Sequence, residues 1–394
     1  MIFLLAAAIT FHTDFEGAAL GPVERTGPAH FRCPVPGQSD QDNRNRQASW
    51  YYFRVEGATP GETLTLDLTA LLGEYNYRAG AHAVTKNTRP LISYDNRSWI
   101  HLTDREVTWE EKEPLLRLKI KPEQAKFWIA HTPPYTLAHA AALEREIRNH
   151  PAVRITAPGK TVEGRLMPLW TITDPKTPDK EKKTVWLMFR QHAWESGSSW
   201  VAEGLVRHLV AAGPVSDRLR QKFVWKIFPV ADPDGVARGG VRFNRNGYDL
   251  NRNWDLVVPE KMPEIASQKK AMYAWLDSGR TIDFFLSLHN TESSEYLDGP
   301  PLPLGERLFK ILKEETVFNP SRPYSVMAGS ATPGKPGRMS VAQALWQERK
   351  IPAFLMENRV ERNDRVNRPP VIADRILFGQ QLADAIARAL LAAE

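Results

Sequence analysis

The sequence of 394 residues predicts an α/β domain preceded by an all-β sandwich. Up to about residue 131, short runs of aromatic and β-branched residues alternate with turn residues, and no long helical pattern intervenes. From Thr136 onwards, continuous apolar runs alternate with helical patterns, which is typical of a sheet covered by helices on both faces. We therefore predict an N-terminal domain over residues 9–131 and a second domain over residues 132–394.

The predicted sandwich consists of short strands separated by Gly, Pro, Asn and Asp, a spacing that favours two packed sheets. It closes near Pro133 and Pro134, because consecutive prolines interrupt any regular element. The candidate strands, in chain order, are "ITFHTDFEG", "SWYYFRVEG", "ETLTLDLTALLG", "WIHLT" and "LLRLKIK".

The second domain begins with a predicted helix, "TLAHAAALEREIRNH", which Thr136 caps and Pro151 ends. A β-hairpin is predicted over residues 152–173. The elements that follow are the strand "TVWLMFRQH", a serine-capped helix "SSWVAEGLVRHLVAAG", the strand "FVWKIFPVAD", a helix around "SQKKAMYAWLDSG", the strands "IDFFLSLHN" and "PAFLMEN", and a closing helix "VIADRILFGQQLADAIARALLAAE".

Polar residues that can bind metal or move protons end several of these apolar strands. They are His192, Asp232, His289 and Glu357. Because open α/β sheets build their sites in the crevice at the carboxyl ends of the strands, the sequence predicts a functional site there.

His192 and Glu195 are spaced H-x-x-E, and His289 ends a later strand. Two imidazoles and a carboxylate leave a fourth position on zinc for water. The alternatives are hydrogen-bonded core histidines and a solvated acid at a helix start, and a second H-x-x-E pair, "HNTE", follows at residues 289–292. The single cysteine, Cys33, excludes an intramolecular disulfide and a zinc site built from cysteines.

A long polar loop over residues 229–254 holds Arg238, Arg242, Arg245 and Arg252 among several Asn and Gly. Its residues are consistent with an exposed basic turn. They are also consistent with a binding site, since guanidinium groups near a zinc ion grip carboxylates and polarise carbonyls.

The order of these motifs resembles that of the zinc metallocarboxypeptidases of the carboxypeptidase A-like superfamily. The motifs are H-x-x-E, "ADPDG", "DLNRNW", a strand-ending His and a strand-ending Glu. The preceding sandwich and "GKTVEGR" resemble the cytosolic-carboxypeptidase branch in its bacterial form, whose known members remove C-terminal or branched glutamates. The resemblance implies a mixed-sheet zinc carboxypeptidase domain, one zinc ion (Zn2+) and a peptide or protein C-terminus as substrate.

Residue by residue, the resemblance implies that His192, Glu195 and His289 bind zinc. Glu357 matches the general base, which takes a proton from the zinc-activated water and later gives it to the leaving amine. Asp249 matches the acid that orients the first zinc histidine.

The resemblance also assigns substrate contacts. Asn251 and Arg252, within "DLNRNW", match the pair that holds the terminal carboxylate. Arg242 falls where the family keeps the arginine that polarises the scissile carbonyl, and Arg245 is a rival for this role.

Two features depart from the pancreatic-type pattern. Residues 329–346, where that type carries a mobile tyrosine, contain none, and Tyr324 lies further back. The segment instead resembles a "GTGR"-like segment, in which Arg338 is suited to bind an acidic side chain. We therefore expect a preference for C-terminal Glu or Asp. Glu292 and Glu295 are interpreted as acids at the rim of the site.

Two other functions stay open at this point: a zinc amidohydrolase acting on N-acylated amino acids, and a binding protein that has lost turnover. The net charge of +6 is scattered among acids, so no nucleic-acid partner is expected, and no apolar stretch is long enough to span a bilayer. The apolar start "MIFLLAAAIT" leans towards a periplasmic or secreted protein, with the cytoplasm as the alternative. The oligomeric state is not indicated.

Overall fold

The computed structural model describes residues 8–82, 84–327 and 335–392 of the chain. It divides into two compact units. The first contains the described residues up to Pro134 together with Gly235–Arg242, and the second contains the described residues of Tyr135–Asp234 and Phe243–Glu394. The predicted domain boundary between residues 131 and 132 stays a prediction.

The first unit is built from β-strands arranged in three sheets. Two five-stranded sheets have the orders β1-β6-β14-β10-β11 and β12-β13-β7-β3-β2, and a small sheet has the order β4-β5-β8-β9. The strands are β1 (Thr10–His12), β2 (Glu24–Gly27), β3 (His30–Pro34), β4 (Gln38–Ser39), β5 (Arg46–Gln47), β6 (Tyr52–Glu56), β7 (Leu64–Thr69), β8 (Leu72–Tyr75), β9 (Arg78–His82), β10 (Leu91–Ser93), β11 (Ile100–His101), β12 (Val107–Glu110), β13 (Leu115–Ile120) and β14 (Phe127–Ala130).

The two five-stranded sheets share one apolar core, which makes the unit the predicted sandwich. Alternate residues of β7 and β13, such as Leu66 and Leu118, pack with Phe53 of β6 and Ile129 of β14. All four side chains are fully buried. The period of two along each strand therefore places one face of each sheet inside.

The second unit contains an eight-stranded mixed sheet with helices on both faces. The strand order is β15-β16-β18-β17-β19-β22-β20-β21. The elements after Pro134, in chain order, are α1 (Leu137–Ile147), β15 (Val153–Thr156), β16 (Leu169–Ile172), β17 (Lys183–Phe189), α2 (Ser196–Val210), α3 (Pro214–Lys222), β18 (Phe223–Phe228), α4 (Pro233–Ala237), α5 (Pro263–Asp277), β19 (Phe284–Thr291), β20 (Tyr296–Gly299), α6 (Pro303–Glu315), β21 (Ser325–Val326), α7 (Val341–Arg349), β22 (Ala353–Arg359) and α8 (Ile372–Leu391).

The central strands of this sheet are parallel and apolar on both faces. β17 lies between β18 and β19, and β19 pairs in parallel with β22. Leu187 of β17 packs in the core that includes residues of α2, α6 and α8, whereas its neighbour Trp186 packs in the core that includes residues of α5 and α7. The predicted α/β architecture is confirmed, and the outer strands β15, β16 and β20 make the sheet mixed.

Two details differ from or lie outside the sequence-based expectations. The helix α2 begins at Ser196 with Glu195, not a serine, as its N-cap residue. A carboxylate is favoured there because the helix macrodipole is positive at the N-terminus. Residues 1–7 and 328–334 lie outside the described residues, so the export signal and the first part of the tyrosine-free segment, residues 329–334, stay predictions. No helix among the described residues is long and apolar enough to cross a membrane.

Candidate metal centre and active site

Three buried side chains converge at the carboxyl ends of two neighbouring parallel strands. His192 follows β17, Glu195 directly precedes α2 and His289 lies near the end of β19. A turn in which the Glu195 N–H donates to the His192 carbonyl at 3.2 Å brings the first two side chains together. One ligand atom from each of the three lies within 4.8 Å of the others, so the structure brings the predicted metal ligands into one cluster.

The donor atoms of this cluster fit a zinc ion. Nδ1 of His192 lies 2.7 Å from Oε1 of Glu195, and Nδ1 of His289 lies 2.9 Å from Oε2 of the same carboxylate. Burial acts to raise the pKa of Glu195, but the two imidazoles and their hydrogen bonds outweigh it and lower that pKa. Two nitrogens and a carboxylate that face one point are a donor set suited to zinc with one position left open.

The far side of each imidazole is held by another side chain. Nε2 of His192 lies 3.1 Å from Oδ1 of Asp249. Nε2 of His289 lies 3.1 Å from Oε1 of Gln191 and 3.2 Å from Nδ2 of Asn251. Partners of this kind orient metal-binding imidazoles, so both rings present Nδ1 to the cluster. Asp249 was predicted for this position, whereas Gln191 was not.

The sharp turn after β17 depends on Arg190, which sequence reasoning missed. Its φ of 59° lies in the left-handed region, and its side chain is buried. The guanidinium donates to the carbonyls of Ala193 and Tyr135 and to Oγ of Ser199, at 2.8–3.2 Å. Burial lowers the pKa of Arg190 to about 9. These bonds hold the loop that carries the first two ligands.

Asn290 links the three elements around the cluster. It follows His289 on β19, and its Oδ1 accepts the backbone N–H of Ser198 in the first turn of α2 at 2.9 Å. Its Nδ2 donates to the carbonyl of Asn358 on β22 at 3.0 Å. A Cβ on Gly197 would lie 2.8 Å from the Asn290 amide oxygen, so this close approach requires glycine.

Glu357 lies in a row with His289 and Tyr296 across three adjacent strands. It is the register partner of His289 on β19 and of Tyr296 on β20. Register partners project from the same face of a sheet, so the predicted base faces the same side as the second ligand. Glu357 is half-buried.

Tyr296 is a further residue of this site that the sequence did not reveal. Burial, followed by the charges of Glu357 and Asp298, raises its pKa, so the hydroxyl stays protonated. The guanidinium of Arg322 lies 4.1 Å from the ring centre. Its Nη2 donates to Oδ2 of Asp298 at 2.8 Å, and its Nη1 forms an ion-pair contact of 2.8 Å with Oδ1. The tyrosine is therefore held in a fixed position beside Glu357.

Asn251 and Arg252 lie close to the cluster, and their predicted contact with a substrate carboxylate stays a prediction. Asn251 is buried, and its Oδ1 accepts the N–H of Val341 at the start of α7 at 3.1 Å. Arg252 is half-buried, and its Nη1 donates to the Asn251 carbonyl at 2.8 Å.

The two rival arginines of the basic loop have different surroundings. Arg242 belongs to the segment Gly235–Arg242 of the first unit, where the N–H groups of Val241 and Arg242 donate to Oε1 of Gln38 at 3.0 and 2.7 Å. Arg245 is 63% exposed, and its Nε lies 3.5 Å from Oε1 of Glu163. The role of Arg242 stays a prediction, and the position of Arg245 favours a surface role for the rival.

Arg338 is attached to the "DLNRNW" loop through its neighbours. The carboxylate of Asp255 accepts the N–H groups of Gly337 and Met339, each at 2.9 Å. The Asn253 N–H donates to the Gly337 carbonyl at 3.2 Å. The backbone of Arg338 is thus fixed next to the loop that holds Arg252.

The side chains of Tyr324 and Glu295 are both buried and form hydrogen bonds inside the fold. Tyr324 is 9% exposed, and its hydroxyl donates to the Pro300 carbonyl at 2.6 Å. Glu295 is 2% exposed, so its interpretation as a rim acid is wrong. Its carboxylate accepts the Asn319 N–H at 2.9 Å and the Asn363 amide at 3.0 Å, and burial raises its pKa to about 7. Glu292 is half-buried.

Two family profiles match the chain in tandem. The profile of the cytosolic carboxypeptidase N-terminal domain matches residues 11–131. The profile of the zinc carboxypeptidase peptidase domain matches residues 140–296, which includes His192, Glu195 and His289.

Curated relatives and solved structures agree with these matches. The chain is 24% identical to cytosolic carboxypeptidase 3 of Bos taurus over 73% of its own length and 30% of the relative's. It is 26% identical to cytosolic carboxypeptidase 2 of Mus musculus over 71% of its own length and 34% of the relative's. The chain thus spans about a third of the length of these two relatives.

Among solved structures, the chain resembles a metallo-carboxypeptidase from Burkholderia cenocepacia with a TM-score of 0.83 and 23% identity, covering 98% of this chain and 100% of that one. It also resembles the metallo-carboxypeptidase from Pseudomonas aeruginosa solved in complex with (2-guanidinoethylmercapto)succinic acid, with a TM-score of 0.81 and 22% identity, covering 98% of this chain and 99% of that one. At this level of identity, the likeness establishes the fold.

Proposed function

The chain belongs to the zinc carboxypeptidases and carries a cytosolic carboxypeptidase N-terminal domain ahead of its peptidase domain, and from this premise we propose that it hydrolyses the C-terminal peptide bond of peptides or proteins with one zinc ion. The observation that supports the proposal is the convergence of His192, Glu195 and His289, with Glu357 projecting from the neighbouring strand on the same face as His289. His192, Glu195 and His289 would hold the ion.

Zinc, when bound, supplies Lewis acidity to water and to the carbonyl oxygen at this site. Glu357 acts as the general base: its carboxylate takes a proton from the attacking water as the new carbon–oxygen bond forms. It then returns a proton to the amide nitrogen as the carbon–nitrogen bond breaks, so that the amine leaves neutral. Tyr296 shields one side of this carboxylate from bulk water, because it is the register partner of Glu357 on β20.

The basic residues explain why a chain end is the substrate. Arg252, with Asn251, grips the free carboxylate that only a C-terminal residue offers, since guanidinium binds carboxylates in a bidentate manner. Arg242 stabilises the oxyanion that forms from the scissile carbonyl, a contribution typically worth about 2.7–4 kcal/mol per donor.

The side-chain preference follows from Arg338. Its backbone is fixed next to the loop that carries Arg252, through the bonds between Asp255 and the N–H groups of Gly337 and Met339. A guanidinium at this position favours an acidic side chain on the residue that is released. We therefore assign the enzyme a preference for C-terminal Glu or Asp.

The test of the catalytic proposal is release of C-terminal residues from a peptide library, with and without a chelator, by the wild type and by Glu357→Gln. We expect zinc-dependent release by the wild type and a loss of about 10²–10⁴-fold in kcat for the variant, with zinc still bound. Glu306→Gln, at an exposed position of α6, is the matched control and keeps full activity. The proposal fails if the chain binds no zinc, if Glu357→Gln keeps full activity, or if N-acylated amino acids are cleaved and peptides are not.

A further inference from the structure

Two amide side chains contact the same nitrogen of His289 with opposite requirements. Oε1 of Gln191, which only accepts hydrogen bonds, lies 3.1 Å from Nε2 of His289. Nδ2 of Asn251, which only donates, lies 3.2 Å from the same nitrogen. All three residues are almost completely buried, with exposed fractions of 0–3%, so water does not replace either partner.

The orientation of both amides is fixed by backbone groups. Nε2 of Gln191 donates to the Leu250 carbonyl at 2.7 Å, which turns Oε1 of Gln191 towards His289. Oδ1 of Asn251 accepts the Val341 N–H at 3.1 Å, which turns Nδ2 of Asn251 towards His289. Rotating the Gln191 amide by 180° would place its oxygen against the Leu250 carbonyl, and rotating the Asn251 amide would place its NH2 group against the Val341 N–H. The protonation of Nε2 therefore decides which amide forms a hydrogen bond.

A metal ion on Nδ1 determines that protonation. A neutral imidazole carries one proton, so a ring that gives the Nδ1 lone pair to a metal carries its proton on Nε2. An Nε2–H group donates to Oε1 of Gln191. It has no free lone pair, so it cannot accept a hydrogen bond from Nδ2 of Asn251. A ring protonated on Nδ1 would instead donate to Glu195, 2.9 Å away, and accept from Asn251 at Nε2.

We propose that Gln191 is a positioning residue that holds His289 in the metal-binding tautomer, with the proton on Nε2 and the lone pair on Nδ1; this rests on the zinc site of the proposed function. Gln191 directly precedes the ligand His192 in the chain, yet its side chain serves the other histidine ligand. It also bonds to the loop that carries Asp249, through the Leu250 carbonyl. One side chain therefore ties the end of β17 to both the second ligand and the basic loop.

The test is the zinc dissociation constant of the full chain, measured by competition with a chromophoric chelator, for the wild type, Gln191→Leu and Gln268→Leu. Gln268 is the matched control, because it is likewise buried, with 2% of its surface exposed against 1% for Gln191, and donates to a backbone carbonyl, that of Ala231 at 3.0 Å. We expect Gln191→Leu to weaken zinc binding about 10–100-fold. Gln268→Leu lowers thermal stability but changes the zinc dissociation constant less than threefold.

Three results would overturn the inference: unchanged zinc binding by Gln191→Leu, equal weakening by Gln268→Leu, or a proton on Nδ1 of His289. The last is measured on the wild type, so it does not depend on whether a variant folds. Nitrogen NMR of the zinc-loaded chain labelled at histidine shows directly whether Nε2 carries the proton. A wild-type chain that binds no zinc overturns the proposed function itself, whereas a chain that binds zinc equally well without Gln191 overturns only this inference.

Discussion

Asp249 reaches across 57 residues of chain to place its Oδ1 3.1 Å from Nε2 of His192. The same oxygen accepts the Asn251 N–H at 2.9 Å, so a hydrogen bond within its own loop also fixes the carboxylate. A fixed acceptor orients the imidazole and increases its basicity towards a metal.

Replacement of Asp249 by Asn is expected to weaken zinc binding about 10–100-fold, because an amide is a poorer acceptor than a carboxylate. The measurement is the zinc dissociation constant by chelator competition. Asp384→Asn is the control, since Asp384 forms a similar contact of 3.0 Å with Nε2 of His208, which is not a predicted ligand. Equal zinc affinity in wild type and Asp249→Asn would show that the contact has no influence on the metal.

The preference for acidic residues predicts that peptides ending in Glu are cleaved with a higher kcat/KM than matched peptides ending in Lys or Phe. Arg338→Ala is expected to lower kcat/KM for the Glu peptide by about 10-fold or more, because a charged hydrogen bond contributes about 1.5–3 kcal/mol. Arg349→Ala, at the end of α7, leaves the ratio unchanged. Faster release of Phe or Lys by the wild type contradicts the assignment.

The raised pKa of Glu295 predicts that the folded protein loses stability as the pH rises from acidic to neutral. Burial raises its pKa from 4.5 to about 7. The folded state therefore holds the proton more tightly, and the stabilisation is complete below pH 4.5 and is lost as the pH rises through 7. Glu295→Gln is expected to remove a decrease of about 1–3 kcal/mol in the free energy of unfolding between pH 5 and pH 8. Urea unfolding of the zinc-free chain at pH 5 and pH 8 measures this free energy, and Glu314→Gln, at an exposed position, is the control. If Glu295→Gln has the same pH dependence of stability as the wild type, Glu295 does not titrate in this range.

The lowered pKa of Lys226 predicts that the folded protein gains stability as the pH rises in the alkaline range. Its ammonium lies 5.2 and 4.3 Å from the ring centres of Trp186 and Trp275. Burial, assisted by the charges of Arg154 and Arg280, lowers its pKa from 10.5 to about 8. The unfolded chain binds the proton more tightly, so stability rises as the pH increases from 8 towards 10.5.

Lys226→Met is expected to remove that rise and to increase the free energy of unfolding at pH 7.5 by about 1–3 kcal/mol, reduced by the lost contacts with the two indoles. Tryptophan fluorescence in urea at pH 7.5 and pH 10 follows the transition. The exposed Lys270→Met is the comparison. A variant less stable than the wild type at pH 7.5 would mean that the indole contacts outweigh the burial of charge.

Local patterns in the sequence were sufficient to predict the fold class, and they placed His192 and His289 at strand ends. The grouping of His192, Glu195 and His289 into one cluster was implied by the family resemblance. A buried strand that ends in His192, or in His289, shows its position through the apolar residues before it. The order of strands in the sheet is not local information. It places β19 between β17 and β22, and β20 antiparallel beside β22.

The residues that were missed depend on this order. Gln191 reaches His289, Asn290 reaches α2 and β22, and Tyr296 becomes the register partner of Glu357 only because those strands are neighbours. Glu295 was placed at the rim because charge usually indicates exposure, whereas several amide donors satisfy it inside the fold.

The two hydrogen bonds of Asn290 have a consequence for the protein without its ion. They join the elements that carry His289, Glu195 and Glu357 through protein atoms alone. The conformational entropy of assembling the ligands is therefore lost when the chain folds, and capture of the ion requires little further ordering. Removal of the ion is therefore expected to leave the geometry of the site unchanged, so that metal added to the folded chain restores the site without refolding.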